Sequence, residues 1–278
     1  VTRFRRTRSR FDSLRNDRVS FFFRRRVATR GRYGRSAFGT GRTVTTVGHR
    51  RLTPVALAAI PVTTAARSTV GRKVIMALTG LVLVGFVLGH MAGNLLVFKG
   101  PEALNGWGAF LKSSALVLWT VRLGLLAAVG LHIWAALTLI RLNQVSRPVA
   151  YAKRVPQAST RSARLMRFGG ILLLVFIVFH LLHFTTGTIH PGYTFSHTDV
   201  YGNVMSSFQV PWVALFYIVA MVALLAHLTH GIWSFFQTMG WSHPRYNPAR
   251  RVVATVVALI VSLGFIAIPS AILGGMLR

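Results

Sequence analysis

The sequence predicts an all-α, polytopic membrane protein: five transmembrane helices, four of them around a histidine-bearing core, behind a disordered basic N-terminal tail. Three observations carry that expectation. Hydrophobic residues make up 53% of the 278 residues, with a mean hydropathy of +0.52. Five apolar runs reach the roughly 20 residues a helix needs to cross about 30 Å of hydrocarbon. Four of those runs each hold a histidine far from either end, at His90, His132, His180 and His227.

Residues 1–67 differ in character from the rest of the chain. They are rich in Arg, punctuated by Gly and Thr, and lack sustained periodicity, so a disordered tail is expected. The stretch from Arg3 to Lys73 holds 19 of the 33 Lys and Arg residues, opposed only by Asp12 and Asp17. The tail lacks the aromatic interleaving that single-stranded nucleic acid favours, so no nucleic-acid partner is expected. A targeting peptide, contact with anionic lipid headgroups, and a stretch upstream of the true start are the readings that fit its charge.

Residues 68–278 form the transmembrane domain. The first span runs from about Arg72 to Phe98 and the second from about Ser114 to Ile140. The third runs from about Leu165 to Thr186, the fourth from about Trp212 to Thr238, and the fifth from about Val252 to Leu273. Gly100-Pro101, Pro148, Pro156, the Pro191–Pro211 stretch and Pro244 punctuate the connections. Seven Lys and Arg between Arg141 and Arg167, with Arg245, Arg250 and Arg251 near the fifth span, make those connections cytoplasmic by the positive-inside rule. The other connections carry little charge. The N-terminus is therefore expected inside and the C-terminus outside.

Composition also excludes chemistries. With no cysteine there is no disulfide, no iron–sulfur cluster held by this chain and no thioether-linked haem. The four acidic residues are Asp12, Asp17, Glu102 and Asp199, and none lies inside a span. Paired-carboxylate catalysis and carboxylate-bridged metal centres are thereby ruled out within the membrane.

An ionisable ring in hydrocarbon is costly, so four at matched depths ask for a shared partner that binds imidazole nitrogen. The second and fourth spans run inward, placing His132 at ~13 Å and His227 at ~16 Å from the cytoplasmic edge. The first and third run outward, placing His90 and His180 in the outer half at ~20–25 Å. Two planes result, each with two facing histidines, which is the geometry that clamps a haem b between helices. His183 and His230 follow three residues after His180 and His227. Each is an alternative ligand, or a hydrogen-bond donor to a propionate or quinone. Gly85, Gly89, Gly93, Gly130, Gly169, Gly170 and Gly231 would let a flat macrocycle approach helix backbones. Trp107, Trp134 and Trp233 are candidates for contact with ring edges or quinone.

The strings G-H-M around His90, L-H-I-W around His132, F-H-L-L-H around His180 and A-H-L-T-H-G-I-W-S-F around His227 carry a resemblance. From about Arg67 to Met276 the chain resembles the single-chain, five-helix, di-haem cytochrome b anchors of bacterial succinate dehydrogenases and fumarate reductases. The resemblance implies two haems b, one ligated by His90 with His180 and the other by His132 with His227. It implies a flavoprotein subunit and an iron–sulfur subunit docked on the cytoplasmic face of the bacterial plasma membrane. It further implies quinone, most often menaquinone, as the membrane partner. Arg72, Lys73, Arg164 and Arg167 are expected at the inner edge, near inner propionates or a docked subunit. Arg122, about ten residues from His132, is a candidate for an outer propionate. Asn94, Glu102 and His183 are the candidates for an outer quinone site, with Glu102 as the only carboxylate able to handle protons there. Two alternatives remain at this level: the cytochrome b subunit of a hydrogenase or formate dehydrogenase, and a proton-coupled transporter with a histidine relay.

Overall fold

The structure, a computed structural model, describes residues 66–146 and 161–277, with side chains omitted at 161–164. The basic tail and most of the charged connection between the second and third spans, including Arg147, Lys153 and Arg154, lie outside the described residues. Every regular element described is helical. Helix α1 spans Thr69–Asn94 and tightens into a single-turn extension over Leu95–Lys99. A short helix α2, Pro101–Lys112, lies before α3, Ala115–Val145. Helix α4, Arg161–His180, continues into a wider π-type turn over Leu181–Thr185. The short α5, Val200–Phe208, leads to α6, Pro211–Thr238, and α7, Asn247–Leu273.

Five of these helices are long and apolar enough to span a membrane. Their outward faces carry large apolar side chains such as Leu116, Phe168 and Ile171, which are 79%, 76% and 64% exposed. Such exposure is uphill in water and neutral against lipid tails, so it belongs to the bilayer-facing surface. The fifth span begins earlier than its apolar pattern suggests, at Asn247, because Pro248 fits the first helical turn, where its missing N–H costs no bond.

Helix α6 is the hub: it packs against α7, α4 and α1, while α3 packs along α1. Small residues make the α6–α7 seam close, with Ala214, Ala220, Ala254 and Ala258 buried. On α7, Gly264 faces Met91 of α1 so closely that a Cβ would collide with its sulfur. The packing among the four histidine-bearing helices runs in the order α3–α1–α6–α4, which leaves α1 and α4, and α3 and α6, as pairs that are not packing neighbours.

One end of the bundle gathers the basic residues Arg72, Lys73, Arg141, Arg167, Arg245, Arg250 and Arg251. The other end is capped by α2 and α5, which pack on each other, with α5 also packing on α6 and α7. Val97, Leu104, Val204, Met205, Phe208, Val213 and Tyr217 form the apolar core under this cap. By sequence pattern both short helices fall within connections. They are only 12 and 9 residues long, too short for a spanning signal.

A polar clasp joins the cap. Asn105 on α2 donates through Nδ2 to Asp199 Oδ1 at 3.0 Å and accepts from the Tyr201 amide at 2.8 Å. Asp199 also caps α5, accepting from the Gly202 amide at 2.9 Å. Lys112 Nζ donates to the His197 carbonyl at 2.6 Å.

The Gly202 amide and then the Asn105 side chain hold the Asp199 carboxyl below its ordinary value. A lowered folded value means that its stabilisation is present above the unfolded carboxylate range and fades as pH falls through the lowered value. Asp199→Ala should cost about 1 kcal/mol through the lost cap. It should also flatten the acid side of the stability profile, as read by thermal melting of the detergent-solubilised protein between neutral and acid pH.

Candidate metal-binding centre in the membrane core

The four spanning histidines meet between helices that are not packing neighbours. His90 on α1 faces His180 on α4 with ring centroids 5.8 Å apart and rings nearly perpendicular. His132 on α3 faces His227 on α6 at 6.2 Å and 54°. Two imidazoles that share one metal ion through bonds of about 2.0–2.1 Å have centroids roughly 6 Å apart. Both pairs match that spacing, although the helices carrying each pair do not pack extensively on one another.

Hydrogen bonding settles the tautomer of His132. Its Nδ1 lies 3.1 Å from the Met76 carbonyl, which can only accept, so Nδ1 carries the proton. Thr79 Oγ1, 3.3 Å from the same nitrogen, has its own hydroxyl proton committed to the Ile75 carbonyl at 2.7 Å. The lone pair is thereby left on Nε2, as in metal-bound histidines whose other nitrogen donates to a backbone carbonyl. Gly80 makes this placement possible, because a Cβ there would stand 3.3 Å from His132 Cε1. Opposite, His227 Nδ1 is buried with no hydrogen-bond partner. An unsatisfied nitrogen there costs about 1–3 kcal/mol unless a bound group takes it. The donor set, four imidazoles with no carboxylate, suits haem iron.

Space accompanies the pair nearer the basic end. A cavity of ≈ 470 Å³ lies against His227, walled by Leu165, Phe168, Gly169 and Leu172 of α4 and by Val222 and Ala226 of α6. Gly169 and Gly170 have nothing near the position of a Cβ, and the same holds for Gly85, Gly89, Gly130 and Gly231. Gly93 differs: a Cβ there would run into the Trp107 indole, so this glycine serves helix–cap packing.

His183 and His230 occupy other positions. His183 is fully buried, its Nδ1 3.0 Å from Tyr217 Oη and its Nε2 3.0 Å from Ser207 Oγ, so both nitrogens are occupied within the protein. His230 Nε2 lies 3.1 Å from Ser234 Oγ, one turn along its own helix. Asn94 donates to the His90 carbonyl at 2.7 Å and sits 3.3 Å from His90 Nδ1. His90, Asn94, Leu104 and Trp107 line a smaller cleft of ≈ 120 Å³ under the cap. Glu102 is exposed in the first turn of α2, outside that lining. Arg122 stacks over Trp119 at 5.3 Å near the start of α3. At the basic end, Arg251 stacks over Trp233 at 4.7 Å, and Arg72 Nε donates to the Ala66 carbonyl at 2.9 Å.

The sequence patterns do not single out Thr79, Tyr217 or Ser207. Tyr217 lies ten residues before His227 on the same helix, so helical rise alone puts it ~15 Å away, near the level of His180. A hydroxyl at that depth needs a partner, and that is the signal the sequence offers.

Residues 143–267 match the family model described as succinate dehydrogenase/fumarate reductase transmembrane subunit. The matched stretch contains His180 and His227, while His90 and His132 precede it. A succinate dehydrogenase cytochrome b558 subunit of Bacillus subtilis (strain 168) is 26% identical over 189 residues, covering 66% of this chain and 85% of that relative. No solved structure matches the chain.

Gly80→Leu should displace the His132 ring and remove metal from that pair. Leu116→Ala, at a lipid-facing position of the same helix as His132, should not. Iron content of the purified protein, compared between the two variants, measures the difference.

Proposed function

We propose that this chain is the cytochrome b membrane anchor of a bacterial succinate dehydrogenase or fumarate reductase, holding two haems b between an iron–sulfur subunit and membrane quinone. The observation that carries this reading is the meeting of the four spanning histidines in two pairs at iron-sharing distance. The similarity to a succinate dehydrogenase cytochrome b558 subunit supports the choice of complex. Succinate oxidation belongs to a partner flavoprotein subunit, since this chain has no acid or cysteine within its spans.

Haem iron supplies reversible one-electron chemistry. His132 and His227 hold the haem nearer the basic end, and His90 and His180 the one nearer the cap. The Met76 carbonyl orients His132 by accepting from Nδ1–H, and the apolar walls of α4 and α6 exclude water beside His227. The basic end is the cytoplasmic face in this reading. There Arg72, Lys73 and Arg167 offer charge to propionates and to the docked subunits, while the Arg164 side chain lies outside those described. Arg122 stands toward the opposite face, where an outer propionate would neutralise it. The quinone, menaquinone in this assignment, sits beneath the cap, where Asn94 supplies an amide, while Glu102, exposed on the first turn of α2 outside that cleft, relays the proton from solvent. His183 stands behind that region. The N-terminus is inside and the C-terminus outside.

Pyridine haemochrome analysis should give two haems b per chain, with a flavin-containing subunit copurifying. Replacing His132 or His227 by Ala should leave one haem, and replacing His90 or His180 should leave the other. Two haems retained in any of the four variants would break the pairing.

Glu102→Gln should lower quinone turnover at least several-fold, with haem content and succinate oxidation by an artificial acceptor unchanged. Unaltered turnover would move the quinone to the basic end.

A further inference from the structure

A chain of hydrogen bonds runs from His180 through three side chains to a backbone carbonyl under the cap. His180 Nδ1 lies 3.3 Å from Tyr217 Oη, and Tyr217 Oη lies 3.0 Å from His183 Nδ1. His183 Nε2 lies 3.0 Å from Ser207 Oγ, and Ser207 Oγ donates to the Asn203 carbonyl at 2.6 Å. His183 and Ser207 are fully buried and Tyr217 nearly so.

The far end dictates the direction of every proton. A carbonyl only accepts, so the Ser207 hydroxyl proton is spent on Asn203. Ser207 Oγ then accepts, which puts a proton on His183 Nε2. Neutral His183 has a bare Nδ1, which takes the Tyr217 hydroxyl proton. Tyr217 Oη is left with lone pairs only, and it faces His180 Nδ1. His180 must therefore protonate Nδ1 and bare Nε2. The Tyr217 ring has no freedom to turn its hydroxyl elsewhere, because Phe176, Phe179, Phe184 and Phe208 surround it with centroids 5.0–6.2 Å away.

From this geometry we infer that Tyr217 is a positioning residue for His180, locked by His183 and Ser207 as an obligate acceptor that selects the metal-binding tautomer. The inference rests on the two-haem reading above, with His180 as a ligand. It gives His183 a role of its own as the element that turns the Tyr217 proton away from His180. The Met76 carbonyl does the same for His132, so a protein acceptor at Nδ1 recurs in both pairs. The two acceptors differ in kind. A backbone carbonyl cannot be reoriented, whereas the Tyr217 hydroxyl accepts only while the relay behind it is intact.

Accepting from a ligand's N–H makes that imidazole a stronger donor and favours the oxidised metal. Tyr217→Phe in the assembled complex should keep two haems and raise the midpoint potential of one of them. Ser207→Ala frees His183 to shift its proton to Nδ1 and should move the same haem in the same direction by less. The affected haem is identified as the one lost in His180→Ala, and its low-spin ferric resonance should shift in Tyr217→Phe while the other haem's stays fixed. If His180→Ala loses no haem, the ligand assignment fails. If it loses one, yet both potentials stay unchanged in Tyr217→Phe and in Ser207→Ala, the positioning role alone is overturned. Loss of the haem from Tyr217→Phe, with an unshifted potential in Ser207→Ala, overturns it equally.

Discussion

A polar atom in the hydrocarbon core has to find its partner inside the protein, because no water is there to supply one. That constraint acts on every imidazole and hydroxyl this bundle carries through its spans, and most of the architecture answers it. Thr79 returns its proton to the preceding turn, His132 reaches the Met76 carbonyl across to α1, and His183 is bonded at both nitrogens. His227 keeps a buried nitrogen with no protein partner. Ser262 Oγ on α7 and Tyr193 Oη share that condition, and of the three only His227 presents an imidazole toward a facing histidine.

The packing order α3–α1–α6–α4 turns a local requirement into a global one. Adjacent helices in a bundle approach to 8–10 Å, which leaves no room for a macrocycle between them. Helices that are not packing neighbours are further apart, and their histidine side chains meet between them. The small residues of the α6–α7 seam draw the fifth span tightly against the hub. That packing buttresses α6, which carries both His227 and Tyr217.

The capped end and the basic end divide the labour. Under the cap, the clasp of Asn105, Asp199 and Lys112 fastens short helices over the His90–His180 pair. The same short helix α5 presents Ser207 to the buried relay. Fastening the cap therefore also places the far end of the hydrogen-bond chain on Tyr217. The wider π-type turn that follows His180 carries His183, and both rings reach the Tyr217 hydroxyl.

The five spans and their order were legible in the sequence, because length and apolarity are one-dimensional quantities. Depth alone paired His90 with His180 and His132 with His227, and the folded bundle brings those rings together. The short helices α2 and α5 were not legible, since neither is long or apolar enough to announce itself. Nor could linear spacing say which of His180 and His183 keeps a free nitrogen. Three residues separate them, and the answer depends on a wide turn, a tyrosine from α6 and a serine from α5. Those contacts join residues 24 to 37 positions apart. Only the tertiary structure decides them, because a hydrogen bond depends on where two atoms stand in space.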